Sequence, residues 1–245
     1  MSLFGEDDSD ITSAGRPAVN PSIPWNNAFK LQKERELVGI YHSAHPLDPY
    51  YVELTYAMNP LKDYKAENVI ENSEYTYGGF VVDFSTKQTA KGNTMGIMKL
   101  EDMSGTAEFT FFGKDYIEFA KFGVPNTAIY IKGRYTRDKE QRLRFNIAKI
   151  GLLNDLRGRL IKGIVLTMDF PQLNNTTMGV LSDLVDKEKI EDESKGSLTI
   201  KVFDNNANRI LRFDSPYSMP LDRKSLEAIG ELGIQFKIEK AEEVA

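Results

Sequence analysis

The chain has no cysteine, only two histidines and a single tryptophan, Trp25, among its 245 residues. Without cysteine, disulfides, thiolate metal sites and cysteine nucleophiles are all excluded. The histidines, His42 and His45, lie close together with no H-x-x-x-H spacing and no paired carboxylates nearby. They read as structural members of a turn rather than as metal ligands or a catalytic base, and no G-x-S-x-G motif accompanies them. No apolar run approaches the roughly 20 residues that cross a bilayer. The start, Met1-Ser2-Leu3-Phe4-Gly5-Glu6-Asp7-Asp8, lacks the basic flank and apolar stretch of a signal peptide. A cytoplasmic protein with no membrane contact is the expectation. Gly78-Gly79 lacks the G-K-[ST] of a phosphate loop. Two-metal chemistry needs carboxylates fixed around a metal pair. Asp7, Asp8, Asp10 and the run Glu191-Asp192-Glu193 read instead as solvated charge in a linker and a surface loop.

What is present is ordinary globular material, with 41% hydrophobic and 27% charged residues. A net charge of −5 argues against a nucleic-acid partner when taken globally, but the charge is unevenly distributed. Residues 1–74 carry 6 basic and 12 acidic side chains, residues 75–153 carry 12 and 8, and residues 154–245 carry 13 and 16. Only the middle segment has the sign that a phosphate-binding surface needs, and the excess is modest.

Residues 1–28 are acidic, then rich in Ser, Pro, Gly and Asn, and read as an extended linker, with Trp25 pinning it to a neighbouring surface. Residues 29–74 form a helical segment: a helix capped by Asn26 or Asn27 runs to about His42, and a second, short one over residues 50–60 stops at Asn59-Pro60. Residues 75–153 hold the strongest fold signal. Strands are predicted over Gly79–Thr86, Thr94–Asp102 and Thr106–Phe112, then a short helix over Lys114–Phe122, then strands over Ala128–Thr136 and Arg142–Ile150. Three strands, a helix and two strands is the order of a five-stranded OB-fold barrel. The run from Lys99 to Glu108, centred on Asp102-Met103-Ser104-Gly105, looks like the hairpin between strands 2 and 3 of nucleic-acid-binding OB domains. Residues 154–245 alternate as β-α-β-β-α-β, which predicts a small α+β sandwich of ferredoxin-like type. The fold class is therefore mixed β and α+β.

The binding argument rests on alternation in the OB segment. In Arg142-Leu143-Arg144-Phe145-Asn146-Ile147, the residues Arg142, Arg144 and Asn146 face away from Leu143, Phe145 and Ile147. Tyr130, Lys132 and Arg134 likewise oppose Ile129 and Ile131. With Arg137 and Lys139 in the loop between these strands, they predict a basic, aromatic-bearing wall for a single strand, cations on phosphates and a ring on a base. Lys87 and Lys91, in the loop after the first strand, and Lys99 extend it. Phe109, Phe111 and Phe112 are expected in core or barrel-end packing. No catalytic or metal-binding residue is expected.

One stretch adds a resemblance. Lys33-Glu34-Arg35-Glu36-Leu37-Val38-Gly39-Ile40-Tyr41, running into Ser43-Ala44-His45-Pro46-Leu47-Asp48-Pro49-Tyr50, closely resembles bacterial DNA polymerase III alpha subunits just before their OB domain. There the pattern is K/R-E-x-E-x-L-G-x-Y-x-S-G-H-P-L-x-x-Y, from which Ala44 departs at the usual Gly. Together with the hairpin at residues 92–108, this implies the C-terminal region of that family, non-catalytic by itself. The polymerase carboxylates and their Mg2+ would lie upstream. The resemblance further implies an OB domain on template single strand, a C-terminal part binding the clamp-loader tau subunit, and Leu3 and Phe4 as weak sliding-clamp anchors lacking the motif's glutamine. Two alternatives stay open: an OB module that only packs against protein, or an RNA-binding module such as a tRNA anticodon-binding domain, which leaves residues 33–50 unexplained.

Overall fold

The computed structural model describes residues 27–39, 41, 43–65, 69–89, 92–185 and 195–241. Residues up to Ser43 and residues from Ala44 onward form separate compact units. In the first, helix α1 (Asn27–Val38) ends at Gly39, whose φ of 84° supplies the left-handed exit that a glycine adopts at low cost. The helix is thus shorter than the reach to His42 read from the sequence. Ser43 returns to it, its N–H donating to Glu34 Oε2 at 3.0 Å.

The second unit begins with a fastened turn. The Asp48 carboxylate accepts from the His45 N–H at 2.6 Å, and His45 Nδ1 accepts from the Leu47 N–H at 3.1 Å. Three short helical turns follow, at Asp48–Tyr50, Glu53–Ala57 and Leu61–Asp63. Their apolar side chains go in three directions. Val52 enters the core of one sheet, Leu61 the core of the other, and Leu47, Leu54 and Met58 pack with Tyr130 and Leu153 between them.

The first sheet comprises β1 (Glu74–Gln88), β2 (Thr94–Glu101), β3 (Thr106–Phe112), β4 (Ala128–Arg137) and β5 (Leu143–Leu152), with helix α2 (Lys114–Phe119) after β3. The order is β3-β2-β1-β4-β5, antiparallel throughout, which is the strand order of the OB fold. Alternate residues point inward, so Met98, Leu100, Phe109, Phe111, Ile129, Ile131 and Tyr135 fill the core. The Tyr77 and Tyr135 hydroxyls lie 3.0 Å apart, and Tyr135 also accepts the Lys65 N–H at 3.0 Å. Asp102 explains the hairpin motif. Its Oδ1 accepts from the N–H groups of Ser104 and Gly105, at 2.6 and 2.9 Å, while Oδ2 accepts from Leu61 N at 2.8 Å. One carboxylate therefore shapes the β2–β3 turn and anchors the segment that precedes the sheet. On β5 the pairing skips Ala148, because Lys132 faces Lys149 while Gly133 faces Ile147. Gly133 sits against this bulge, and a Cβ there would run into the Asn146 carbonyl oxygen.

The second sheet contains β6 (Ile161–Asp169), β7 (Lys195–Asp204), β8 (Arg209–Pro220) and β9 (Gln235–Lys240), in the order β8-β7-β6-β9. Helices α3 (Asn175–Leu184) and α4 (Arg223–Glu231) are capped by Asn174 and Asp222 and bury Leu181, Leu226 and Ile229 against Ile164, Leu166, Leu198 and Val202. The element order β-α-β-β-α-β holds, but the ferredoxin-like expectation does not. That arrangement places a strand between the two parallel ones, whereas β6 and β7 here are parallel and directly paired, and β9 takes the other edge of β6.

Glu53 is almost fully buried, and burial pushes its carboxyl above the usual range against the lowering pull of the Glu53 and Gly158 N–H groups and the Arg157 charge. A carboxyl with a raised folded pKa favours the folded state at low pH and loses that contribution as the pH rises through it. Glu53→Gln should therefore be more stable than the parent at neutral pH, the gap closing below the ordinary carboxylate range; urea melts across pH check it. Gly133→Ala should cost about 1–3 kcal/mol by overpacking the bulge, read as a lowered Tm in calorimetry.

Candidate nucleic-acid interface

Among the described residues β3 and β5 are the end strands of the first sheet, and neither pairs with the other. Between them runs a groove of about 430 Å³ lined by Tyr64, Lys65, Thr110, Phe112, Asp115 and residues 142–147. Alternation on β5 sends Phe145 and Ile147 toward the core and leaves Arg142, Arg144 and Asn146 exposed, as read from the sequence. Alternation on β3 buries Ala107, Phe109 and Phe111, so Phe112 must point out, and it is 48% exposed. It faces Met95 on β2, which in turn faces Lys87 on β1, so an aromatic–thioether–ammonium row crosses the outer surface. The expectation of core or barrel-end packing thus holds for Phe109 and Phe111, while Phe112 stands on the outer face of β3. The signal was available, since two consecutive strand residues cannot both face one core.

Tyr130 needs the opposite correction. It does share its outward face with Lys132 and Arg134, but it is only 5% exposed because Leu47, Leu54 and Met58 cover that end of β4. It is a packing residue, and no base reaches it. Of the described cations near the wall, Lys132, Arg134, Arg137, Arg142 and Arg144 each stand beside a carboxylate. Arg142 and Arg144 both meet Asp138 Oδ2, at 3.1 and 2.7 Å, and Arg142 also meets Glu140 at 2.5 Å. Lys132 and Arg134 share Glu74, at 2.7 and 3.5 Å, and Arg137 pairs with Glu71 at 3.0 Å. Lys99 lies in register between Asp83 and Glu108. Lys87 and Lys139 are exposed. Lys91, Leu3, Phe4, Trp25 and His42 lie outside the described residues.

Asp138 and Glu74 are held ionised. The Arg142 backbone N–H, joined by the Arg144 and Arg142 side chains and the Glu140 N–H, holds the Asp138 carboxyl well below its ordinary range; a hydrogen bond from Lys132 does the same for Glu74. The wall is therefore a set of ion pairs at the surface, the outermost of them open to exchange with a competing anion. Among the described residues no group of three or more His, Cys, Asp or Glu could hold a metal ion, and no helix is long and apolar enough to cross a membrane.

Strand order and groove define an OB-fold module joined to a four-stranded α/β module. The chain as a whole resembles part of the DNA polymerase III alpha subunit. It is 29% identical over 184 residues to that of Pasteurella multocida, covering 73% of this chain and 15% of that protein. For Haemophilus influenzae the values are 28% over 223 residues, 90% and 17%, and for Aquifex aeolicus 25% over 209 residues, 85% and 18%. The resemblance drawn from residues 33–50 and 92–108 is thus borne out, and the chain spans less than a fifth of the length of these relatives. No protein-family model matches it. Among solved structures, the second OB-fold domain of replication protein A from Methanococcus maripaludis is 18% identical, with 36% of this chain and 92% of that one covered and a TM-score of 0.24. The mitochondrial single-stranded DNA binding protein Rim1 of S. cerevisiae is 17% identical, with 34% and 96% covered and a TM-score of 0.26. At such scores these likenesses add nothing to the fold assignment, which rests on strand order and register.

The two phenylalanines of β3 should separate cleanly. Phe109→Ala should destabilise the chain by about 3–5 kcal/mol, and Phe112→Ala by about 0.5 kcal/mol or less, in denaturant titrations of the two variants.

Proposed function

We propose that this chain is a non-catalytic part of a DNA polymerase III alpha subunit, and that its OB module guides single-stranded template along the groove between β3 and β5. The observation that carries this reading is the placement of Phe112 on one bank and Arg142 and Arg144 on the other. An exposed ring offers a stacking surface to any base, and guanidiniums bind phosphates bidentately. The similarity to alpha subunits supplies the setting, DNA replication in the bacterial cytoplasm. DNA-directed DNA polymerase activity and its Mg2+ belong, on this reading, to the rest of the parent protein. Leu3 and Phe4 remain the expected clamp anchors, and residues 154–245 the expected tau-binding part.

A second reading, an OB module that packs against other polymerase domains and touches no DNA, is favoured by the carboxylates that accompany the cations. Fluorescence anisotropy of a labelled oligo-dT separates the two. Template guiding predicts binding at about 20 mM salt that weakens by about 200 mM, with a slope near −0.7 per phosphate contact. Arg142→Glu/Arg144→Glu should lose at least about tenfold in affinity and make that slope shallower by about 1.4. Absence of binding at low salt would leave the scaffold reading.

A further inference from the structure

Asp138 occupies an unusual place for a carboxylate on a surface meant for phosphates. It opens the loop between β4 and β5, and the loop is built around it. Its Oδ1 accepts from the N–H groups of Glu140 and Arg142 at 2.8 and 3.0 Å, and its own N–H donates to the Arg142 carbonyl at 2.9 Å. Its Oδ2 accepts from Nε of Arg142 and of Arg144, at 3.1 and 2.7 Å. The Asp138 side chain is 18% exposed, whereas those of Arg142 and Arg144 are 58% and 54% exposed. The carboxylate is thus tucked behind the two guanidiniums it holds.

We infer that Asp138 is a positioning residue for this groove, holding Arg142 and Arg144 by their Nε–H groups as a pre-set pair for successive phosphates of a single strand. The inference rests on the nucleic-acid reading above. Two residues along a strand separate the pair by about 6.8 Å, on one side of β5 and with a regular step suited to an extended backbone. Arg144 meets Asp138 through its Nε, whereas Arg142 meets it through both Nε and Nη2, the Nη2 also reaching Glu140, so a phosphate would take the terminal groups of Arg144 and, once Glu140 moves aside, those of Arg142. Glu140, the further partner of Arg142, is 69% exposed and can swing away, whereas Asp138 is fixed by the turn. The other charged groups of the groove are Lys65 and Asp115, with Lys139 in the loop. Holding two flexible side chains in place before binding removes an ordering cost that free arginines would bear on contact.

Asp138→Asn isolates this role. Asparagine keeps an Oδ1 to accept the two loop N–H groups, but it presents an NH2 to the guanidiniums and so releases them. It also makes the surface one unit more positive, so simple electrostatics predicts tighter binding. Positioning predicts the reverse: oligo-dT affinity in the full chain should fall on the order of 3- to 10-fold, the ordering cost of one or two arginines, with a shallower salt slope. Arginine Nε–H signals in NMR should exchange slowly in the parent and rapidly in the variant. Arg142→Lys/Arg144→Lys, which keeps both charges and the loop but has no Nε–H fork, should weaken binding to a similar degree, and this holds the test open if Asp138→Asn folds poorly. Unchanged or tighter binding by Asp138→Asn, or full affinity in the double-lysine variant, would overturn the inference and leave template guiding intact. A parent chain that binds no oligo-dT at low salt would overturn both.

Discussion

The first sheet is held together at its open side by rings rather than by a ladder. β3 and β5 exchange no backbone pairing, so what joins them is the aromatic cluster beneath. Tyr64, from the segment before β1, stands 4.3 Å centroid to centroid from Phe109 on β3 and 5.7 Å from Phe145 on β5. Phe145 in turn packs on Tyr77 and Tyr135 at 5.5 and 5.0 Å. Phe145 meets Tyr64 and Tyr77 edge to face, while the other two pairs are tilted; aromatic pairs of this kind add about 0.5–1.5 kcal/mol each beyond the area they bury. Burial raises the Tyr64 and Tyr77 hydroxyls above the ordinary tyrosine range, so the cluster stays neutral through the physiological range. The same cluster floors the groove. A closed ladder would have spent the edges of β3 and β5 on each other; ring packing leaves a cleft whose banks carry side chains.

Charge on those banks follows a consistent rule. Outward cations two residues apart on a strand share one carboxylate, Glu74 for Lys132 and Arg134, Asp138 for Arg142 and Arg144. An acidic chain can in this way carry arginines on a surface without a strong positive field. The Arg142–Glu140 pair is exposed and easily exchanged, whereas the shared carboxylates serve to fix side-chain direction more than to stabilise the fold. A ligand phosphate that displaces Glu140 from Arg142 gives up little.

Legibility in the sequence divides along the same physical lines. Period-two alternation and turn residues are local, and they sufficed for the five-strand order, the inward and outward sides of β4 and β5, and the Asp102 hairpin. Tyr130 was misjudged because its cover comes from Leu47, Leu54 and Met58, more than seventy positions earlier in the chain. Glu71 and Glu74 neutralise Arg137, Arg134 and Lys132 across a similar gap, and no local pattern announces such a pairing. The direct β6–β7 pairing was hidden for a related reason. Alternation states which side chains face a core but not which strand lies alongside. Phe112 differs, because period-two alternation alone sets it on the side opposite Phe111.

The stretch that carries the family resemblance turns out to be about geometry rather than chemistry. His45, Leu47 and Asp48 tie one turn by three hydrogen bonds, and Leu47 is fully buried. From that turn the chain delivers Val52 to the core of the second sheet and Leu61 to the core of the first, with Leu54 and Met58 filling the space against Tyr130 and Leu153. These side chains go to three destinations, so their order along the chain decides which core each one enters. Such a turn acts through backbone hydrogen bonds and packing. A segment without visible chemistry thus helps set the place of a groove whose bank residues are individually ordinary, since Leu61 and Tyr64, which follow it, pack in the core of the first sheet.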